Sequence, residues 1–321
     1  MYWPMDLLIA LVLVAGPPDE ETKALALDSQ VPALHVKAPN GKRLTQHTRF
    51  SIPATRMNGI RIDEISGLAW DEDEQVLYAV SDNGSVIHFR LKLGSDTIVA
   101  IEPVFAAHLA EAEARGSRRR KLDAEGLTLL NADNGRAGDT ELVVVTEKEP
   151  RFIRFSPAGA ILGETSPPTP LEDRRNYRGS KALESVTNHR GHGLLTAPES
   201  PLKGQPENRH SIYASGQRWS IARQAPDSRL KALDVLPDGN LVALERSRSG
   251  SSEGFVASLR HVDLVACPTD GACTARELAV LPEGPDNFEG MTHLGDQRFL
   301  IVSDQRATEG RGTTFVLVAL H

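Results

Sequence analysis

Acidic residues recur along this sequence in pairs that bracket short apolar runs. Glu289 and Asp304 flank "FLIV", Glu184 and Glu199 flank "LLTA", and Glu125 and Glu147 flank "LVVV". Glu64 and Asp82 around "LYAV", and Asp234 and Glu245 around "LVAL", repeat the arrangement. Carboxylates drawn together from such positions repel one another unless protons or cations compensate them. A hard cation suits an all-oxygen donor set, and Ca²⁺ is the expected ion. The metal candidates are Glu64, Glu125, Glu184, Glu289 and Asp82. Glu125, Glu184 and Glu289 share the closest motif, an acid followed by Gly or Ser; Glu64 is offset by a residue and Asp234 lacks the small neighbour.

The catalytic candidates are Glu147, Lys148, Glu199, Glu245, Arg246 and Asp304. The acids end apolar runs, where a side chain reaches the end of a strand, and basic residues (Lys148, Lys203, Arg246, Arg306) follow several of them. Carboxylates that hold a metal beside cations that hold an anion are what phosphate-ester hydrolysis requires. The metal binds phosphate oxygens and acidifies a bound water, and Lys or Arg offsets charge on the transferring group. The competing reading is structural: an acid beside Gly or Ser also accepts backbone N–H groups in turns, and such residues tie propeller blades together.

Residues so far apart in sequence converge only if the elements carrying them are arranged in a circle. The bracketed unit recurs about every 55 residues, with strand, turn, strand and no helical periodicity, which is the signature of β-propeller blades. Turn signals such as Asn83-Gly84 and Asp238-Gly239 separate strand candidates such as "SVIHFRLKL" and "RFIRFSPAGAILGE". The expected fold is an all-β propeller of five or six blades, each a four-stranded antiparallel sheet around a central channel. Five units are visible. Either a sixth, degenerate blade lies in residues 28–60 with the C-terminal strand "TTFVLVALH", or the two ends of the chain complete one blade and close the ring.

The 321 residues carry a net charge of −7 and 40% hydrophobic content, which fits a globular protein and argues against nucleic acid as a partner. The basic run "RGSRRRK", Arg115 to Lys121, reads as a solvated loop. The apolar run from Leu7 to Gly16 is too short to span a bilayer and matches a signal-peptide core, so residues 1–20 are expected to direct export and residues 28–321 to form the propeller. A periplasmic or secreted monomer, not inserted in a membrane once the signal is removed, follows. Cys267 and Cys273, with Pro268 and Gly271 between them, are expected to close a small disulfide loop in that oxidising compartment.

In their order, the units "EISGLAW…LYAVSDNG", "DAEGLTLL…ELVVVTEKEPRFIRF", "ALESVT…LLTAPES" and "DNFEGMTHL…FLIVSDQ" resemble the phytase-like propeller proteins, the family called esterase-like activity of phytase. The resemblance runs from about Glu64 to Gln305. It implies an exported bacterial β-propeller acting as a metal-dependent phosphoesterase on a small phosphate ester or another anionic substrate.

Other motifs carry less. "GSSEG", Gly250 to Gly254, spells a nucleophile elbow around Ser252, but no helix follows it as that elbow requires. "NHRGHG" offers His189 and His192 for proton or metal chemistry, although its glycines favour a loop. "NADNGRAGDTE" is oxygen-rich but lacks the spacing of a calcium loop and reads as a long hairpin turn. Three functions are therefore weighed: a Ca²⁺-dependent phosphoesterase, a non-catalytic propeller binding a ligand or an envelope protein, and a lactonase-like hydrolase.

Overall fold

The computed structural model describes residues 35–37, 43–95, 97–110, 122–179, 182–248, 254–308 and 311–320, with side chains described from residue 48 onward. Residues 1–20, expected to direct export, the "RGSRRRK" run and Ser252 lie outside the described residues. Five antiparallel sheets succeed one another along the chain as blades of a propeller. The innermost strands are Ile65–Asp71, Ala124–Leu130, Leu183–His189, Arg229–Val235 and Phe288–His293, in blades I to V. The second strands are Val76–Ser81, Glu141–Thr146, Gly193–Pro198, Leu241–Arg248 and Arg298–Ser303. Blades I to IV have four strands each in sequence order. In blade V the third strand, Thr313–Leu320, pairs with Arg43–Ile52, and His35–Lys37 adds an outer edge. Segments near the two ends of the chain thus complete one blade, and among the described residues of 28–60 no sixth blade is formed.

The apolar runs are continuous because each second strand is buried on both faces. Alternate side chains enter opposite seams. In "LYAV", Leu77 and Ala79 pack against blade V, whereas Tyr78 and Val80 pack against blade II. In "FLIV", Phe299 and Ile301 face blade IV, and Leu300 and Val302 face blade I. Each of the five seams has its own apolar cluster. The Cys267–Cys273 bridge is formed, with an S–S distance of 2.11 Å. Its loop docks on the outer strand of blade III, where Cys273 N donates to Ser220 O at 2.8 Å.

Every innermost strand carries a β-bulge at the same place. The register against the second strand skips Ser66, Glu125, Glu184, Lys231 and Glu289. A bulge re-aims its extra residue. Here the bulged residues lie at the start of the inner strands, and Ser66, Glu184 and Lys231 line the narrow waist of the channel. The next residue is small in each case: Gly67, Gly126, Ser185, Ala232 and Gly290. A Cβ on Gly126 would sit 2.9 Å from Glu184 O and 3.0 Å from Ser185 Cα of blade III, so the small residue lets inner strands close on one another. Among the described residues no helix is long and apolar enough to cross a membrane.

Candidate functional site

The bulges define which residues are equivalent, and three levels of side chains build the mouth where the inner strands begin. The middle level is Ser66, Glu125, Glu184, Lys231 and Glu289. Two residues earlier stand Glu64, Asp123, Ala182, Arg229 and Asn287. The residues that follow the paired second-strand ends are Asp82, Glu147, Glu199, Arg246 and Asp304. Blade II presents a carboxylate at all three levels, and blade IV presents a cation at all three.

The register places two expected residues elsewhere. Asp234 lies at the far end of its strand, where its carboxylate accepts His293 N at 2.7 Å and ties blade IV to blade V. Thr128 and Thr292 make the corresponding ties to Asn188 N and Trp70 N, both at 3.1 Å. Glu245 stands one residue before the mouth level, which Arg246 occupies. Its carboxylate points between blades III and IV, accepting from Arg260 Nη1 at 2.7 Å, Ser228 Oγ at 2.6 Å and Gln224 N at 2.8 Å. Glu64 stands two residues before the bulge and accepts from Asn83 Nδ2 at 2.6 Å.

Lys231 is the residue that acidic character alone did not reveal. Its ammonium is fully buried and lies 2.9 Å from Glu184 Oε2, 2.6 Å from Glu199 Oε1 and 2.9 Å from Glu289 Oε1. Burial alone would discharge it, but these three carboxylates hold its pKa well above that of an ordinary lysine. Arg246 Nη1 reaches Glu289 Oε1 at 3.0 Å, and Arg229 Nη1 reaches Glu199 Oε2 at 2.6 Å. Burial opposes ionisation of Glu289, yet Lys231 and Arg246 outweigh it and hold the pKa at about 2. The signal was present in "RLKALDV": Ala232 is the small residue of the repeat, and Lys231 precedes it.

The opposite wall is less fully compensated. Glu125 is 7% exposed and has no hydrogen bond or ion pair among the described residues. Burial, then Glu184, Asp82 and Glu289, push its pKa well above the carboxylate range. Burial, then Glu289 and Asp82, push Asp304 up to about 9. Glu147 Oε1 accepts Ala182 N at 3.0 Å, and Lys148 Nζ reaches Asp123 Oδ1 at 2.8 Å from a largely exposed position. Ligand atoms of Glu125, Glu184 and Glu289 lie within 4.8 Å of one another, as do those of Asp123, Glu125 and Glu147. An all-oxygen, buried and under-compensated donor set of this kind fits a hard divalent cation.

Above these residues opens a cavity of about 440 Å³. Asp82, Glu125, Glu289 and Asp304 line it together with Arg229, Arg246 and Arg248. A second cavity of about 410 Å³ occupies the other mouth, beyond the waist. His189 belongs to that end as a structural group: its Nδ1 accepts Gly191 N at 2.9 Å and its Nε2 lies 3.0 Å from Gly239 O. His192 Nδ1 lies 2.9 Å from Gln217 Oε1. The "NADNGRAGDTE" loop is the long hairpin turn of blade II, docked on blade I through Asn134 N to Asp73 Oδ2 at 2.8 Å.

The chain matches the family model described as Phytase-like, esterase-like activity of phytase, over residues 60–305. No curated protein matches it. Among solved structures, a gluconolactonase from Xanthomonas campestris aligns at 13% identity and a TM-score of 0.40, covering 90% of this chain and 94% of that one. The Dos1 propeller aligns at 10% identity and a TM-score of 0.35, covering 88% of this chain and 76% of that one.

Proposed function

The chain belongs to the phytase-like family, and from that premise we propose that it is an exported, divalent-metal-dependent phosphoesterase working at the acidic mouth of its channel. One observation carries the reading: a single cavity is lined both by carboxylates, Asp82, Glu125, Glu289 and Asp304 among them, and by Arg229, Arg246 and Arg248. The oxygen donors gathered around Glu125 would hold Ca²⁺. When bound, the cation supplies Lewis acidity toward a phosphoryl oxygen and an acidified water. Arg246 and Arg248 bind and orient the remaining phosphoryl oxygens, as guanidinium groups do for tetrahedral oxyanions. Lys231 keeps Glu289 ionised and holds Glu184, Glu199 and Glu289 in place, so the walls do not reorganise as substrate enters. The disulfide supports an oxidising compartment, periplasmic or extracellular.

The pairing of Glu184, Glu199 and Glu289 with Lys231 favours a second reading, in which the mouth is charge-balanced scaffolding and the propeller binds a ligand without turning it over. Purified protein assayed for bound metal and for cleavage of a phosphomonoester, a phosphodiester and a lactone, with and without chelator, separates the readings. Metal-dependent phosphate release supports the phosphoesterase. Bound metal without cleavage of any ester supports the binding propeller, and lactone cleavage alone supports a lactonase.

A further inference from the structure

The three equivalent levels of the mouth distribute charge unequally among the blades, and this asymmetry bears on where a cation sits. The waist triad Glu125, Glu184 and Glu289 brings oxygens within 4.8 Å. Two of its members already contact the Lys231 ammonium at 2.9 Å. Glu289 Oε1 also receives Arg246 Nη1 and Asn287 Nδ2, each at 3.0 Å. A divalent ion among these oxygens would lie against a buried ammonium and a guanidinium, which like-charge repulsion forbids unless they withdraw. The channel axis therefore carries its own cation, supplied by blade IV.

The second cluster, Asp123, Glu125 and Glu147, is built by blade II alone. All three residues are buried, and their ligand atoms also lie within 4.8 Å. Lys148 Nζ reaches Asp123 Oδ1 at 2.8 Å, but its side chain is 58% exposed and can withdraw into solvent, which the buried Lys231 cannot. Asp123 Oδ2 is buried without a hydrogen-bond partner. Glu125, at 7% exposure, is a buried carboxylate with no partner among the described residues, and it reaches the cavity that Arg246 and Arg248 line. We propose that the divalent cation binds off the axis, on blade II, through Asp123, Glu125 and Glu147, while Lys231 stands in for a metal at the waist. The inference rests on the metal-dependent reading above and specifies its ligands. Glu125, shared between the cavity and the cluster, is the link through which an ion on blade II would face substrate held by blade IV.

Calorimetric titration of Ca²⁺ alone into metal-stripped protein tests it, with thermal unfolding measured in parallel. One ion is expected to bind wild type. Asp123→Asn, Glu125→Gln and Glu147→Gln should each weaken binding at least tenfold, and Glu184→Gln should leave it within about threefold. Glu125→Gln keeps the size of a buried side chain that has no partner among the described residues, so its metal-free form should unfold at or above the wild-type temperature; loss of binding there is not loss of fold. If Glu184→Gln does not fold, Lys231→Met prepared in Ca²⁺ decides: it should bind a second ion at the vacated waist. Binding lost in Glu184→Gln but kept in Asp123→Asn and Glu147→Gln overturns the blade II site and leaves the metal-dependent reading standing; a single unchanged ion in Lys231→Met overturns the role of Lys231 as a stand-in for a metal at the waist. No binding to wild type overturns both.

Discussion

The Lys231 ammonium lies 2.9 Å from Glu184 Oε2, joining the inner strands of neighbouring blades III and IV beneath the channel mouth. Both side chains are essentially inaccessible, so removing one leaves the other charged and unsolvated. Lys231→Ala is expected to destabilise the fold by about 3–5 kcal/mol, the usual cost of breaking a buried pair. Denaturant unfolding measures it, and a loss under about 1 kcal/mol would show that the ammonium is dispensable.

Close approach of the inner strands makes a second prediction. A methyl at Gly126 would meet Glu184 O and Val145 Cγ2 at 2.9 Å, and the first of these is backbone. Gly126→Ala should cost about 1–3 kcal/mol through overpacking. The neighbouring blade has to shift, so amide exchange should quicken in the inner strands of blades II and III and not in blade V.

The two acidic sets were legible because their repeat spacing is carried by the apolar second strands, whose two-sided burial leaves a plain signal. The closure of blade V by the chain's two ends was one of two arrangements the sequence left open; the pairing of Arg43–Ile52 with Thr313–Leu320 decides it. What escaped was the identity of the equivalent positions in blades I and IV. Matching by charge selects Glu64 and Asp234, whereas the bulge selects Ser66 and Lys231, because what the backbone repeats is the small residue after the bulge. The carboxylate is what three blades place before that small residue; blade IV places an ammonium there. In the same way, charge selects Glu245 where register selects Arg246. Asp123 was missed because its level is acidic only in blades I and II.

Glu245 sets a pH dependence of its own. Burial opposes its ionisation, but His210, whose Nε2 lies 3.3 Å from Glu245 Oε2, and hydrogen bonds from Gln224 N and Ser228 outweigh that and hold its pKa at about 2, below the ordinary glutamic acid value of 4.5. The unfolded chain takes up this proton first as pH falls. Glu245 therefore contributes stability in full above about 4.5 and loses it progressively toward about 2. Wild type should lose more stability than Glu245→Gln across that interval, as followed by unfolding at fixed denaturant. Parallel curves would show that the carboxylate is not held ionised.

Arg248 is exposed at the cavity rim and its side chain is outside the Lys231 network. Arg248→Ala should leave the thermal midpoint within about 1 °C, since surface changes of this kind cost little. It should raise KM for a phosphomonoester several-fold, while KM for a neutral lactone or carboxylic ester, if cleaved, stays unchanged. Equal effects on charged and neutral substrates would contradict an oxyanion-binding role.

The Cys267–Cys273 loop has a sequence separation of 6. Closing so short a loop constrains the unfolded chain by about 2 kcal/mol. Replacing both cysteines with serine should lower stability by that amount and loosen the outer strand of blade III, without altering Ca²⁺ affinity at the far mouth. Altered affinity would mean that the two ends of the blade are coupled.

The central claim is that a divalent cation and the blade IV arginines act together on a phosphate ester. Phosphate release from a phosphomonoester, followed as Ca²⁺ is returned to metal-stripped protein, measures this directly. The account predicts negligible release without metal, a rise of at least 100-fold that saturates with the bound ion, and no rise in Glu125→Gln. Release that persists undiminished in chelator, or none at any concentration of any divalent ion, would contradict it.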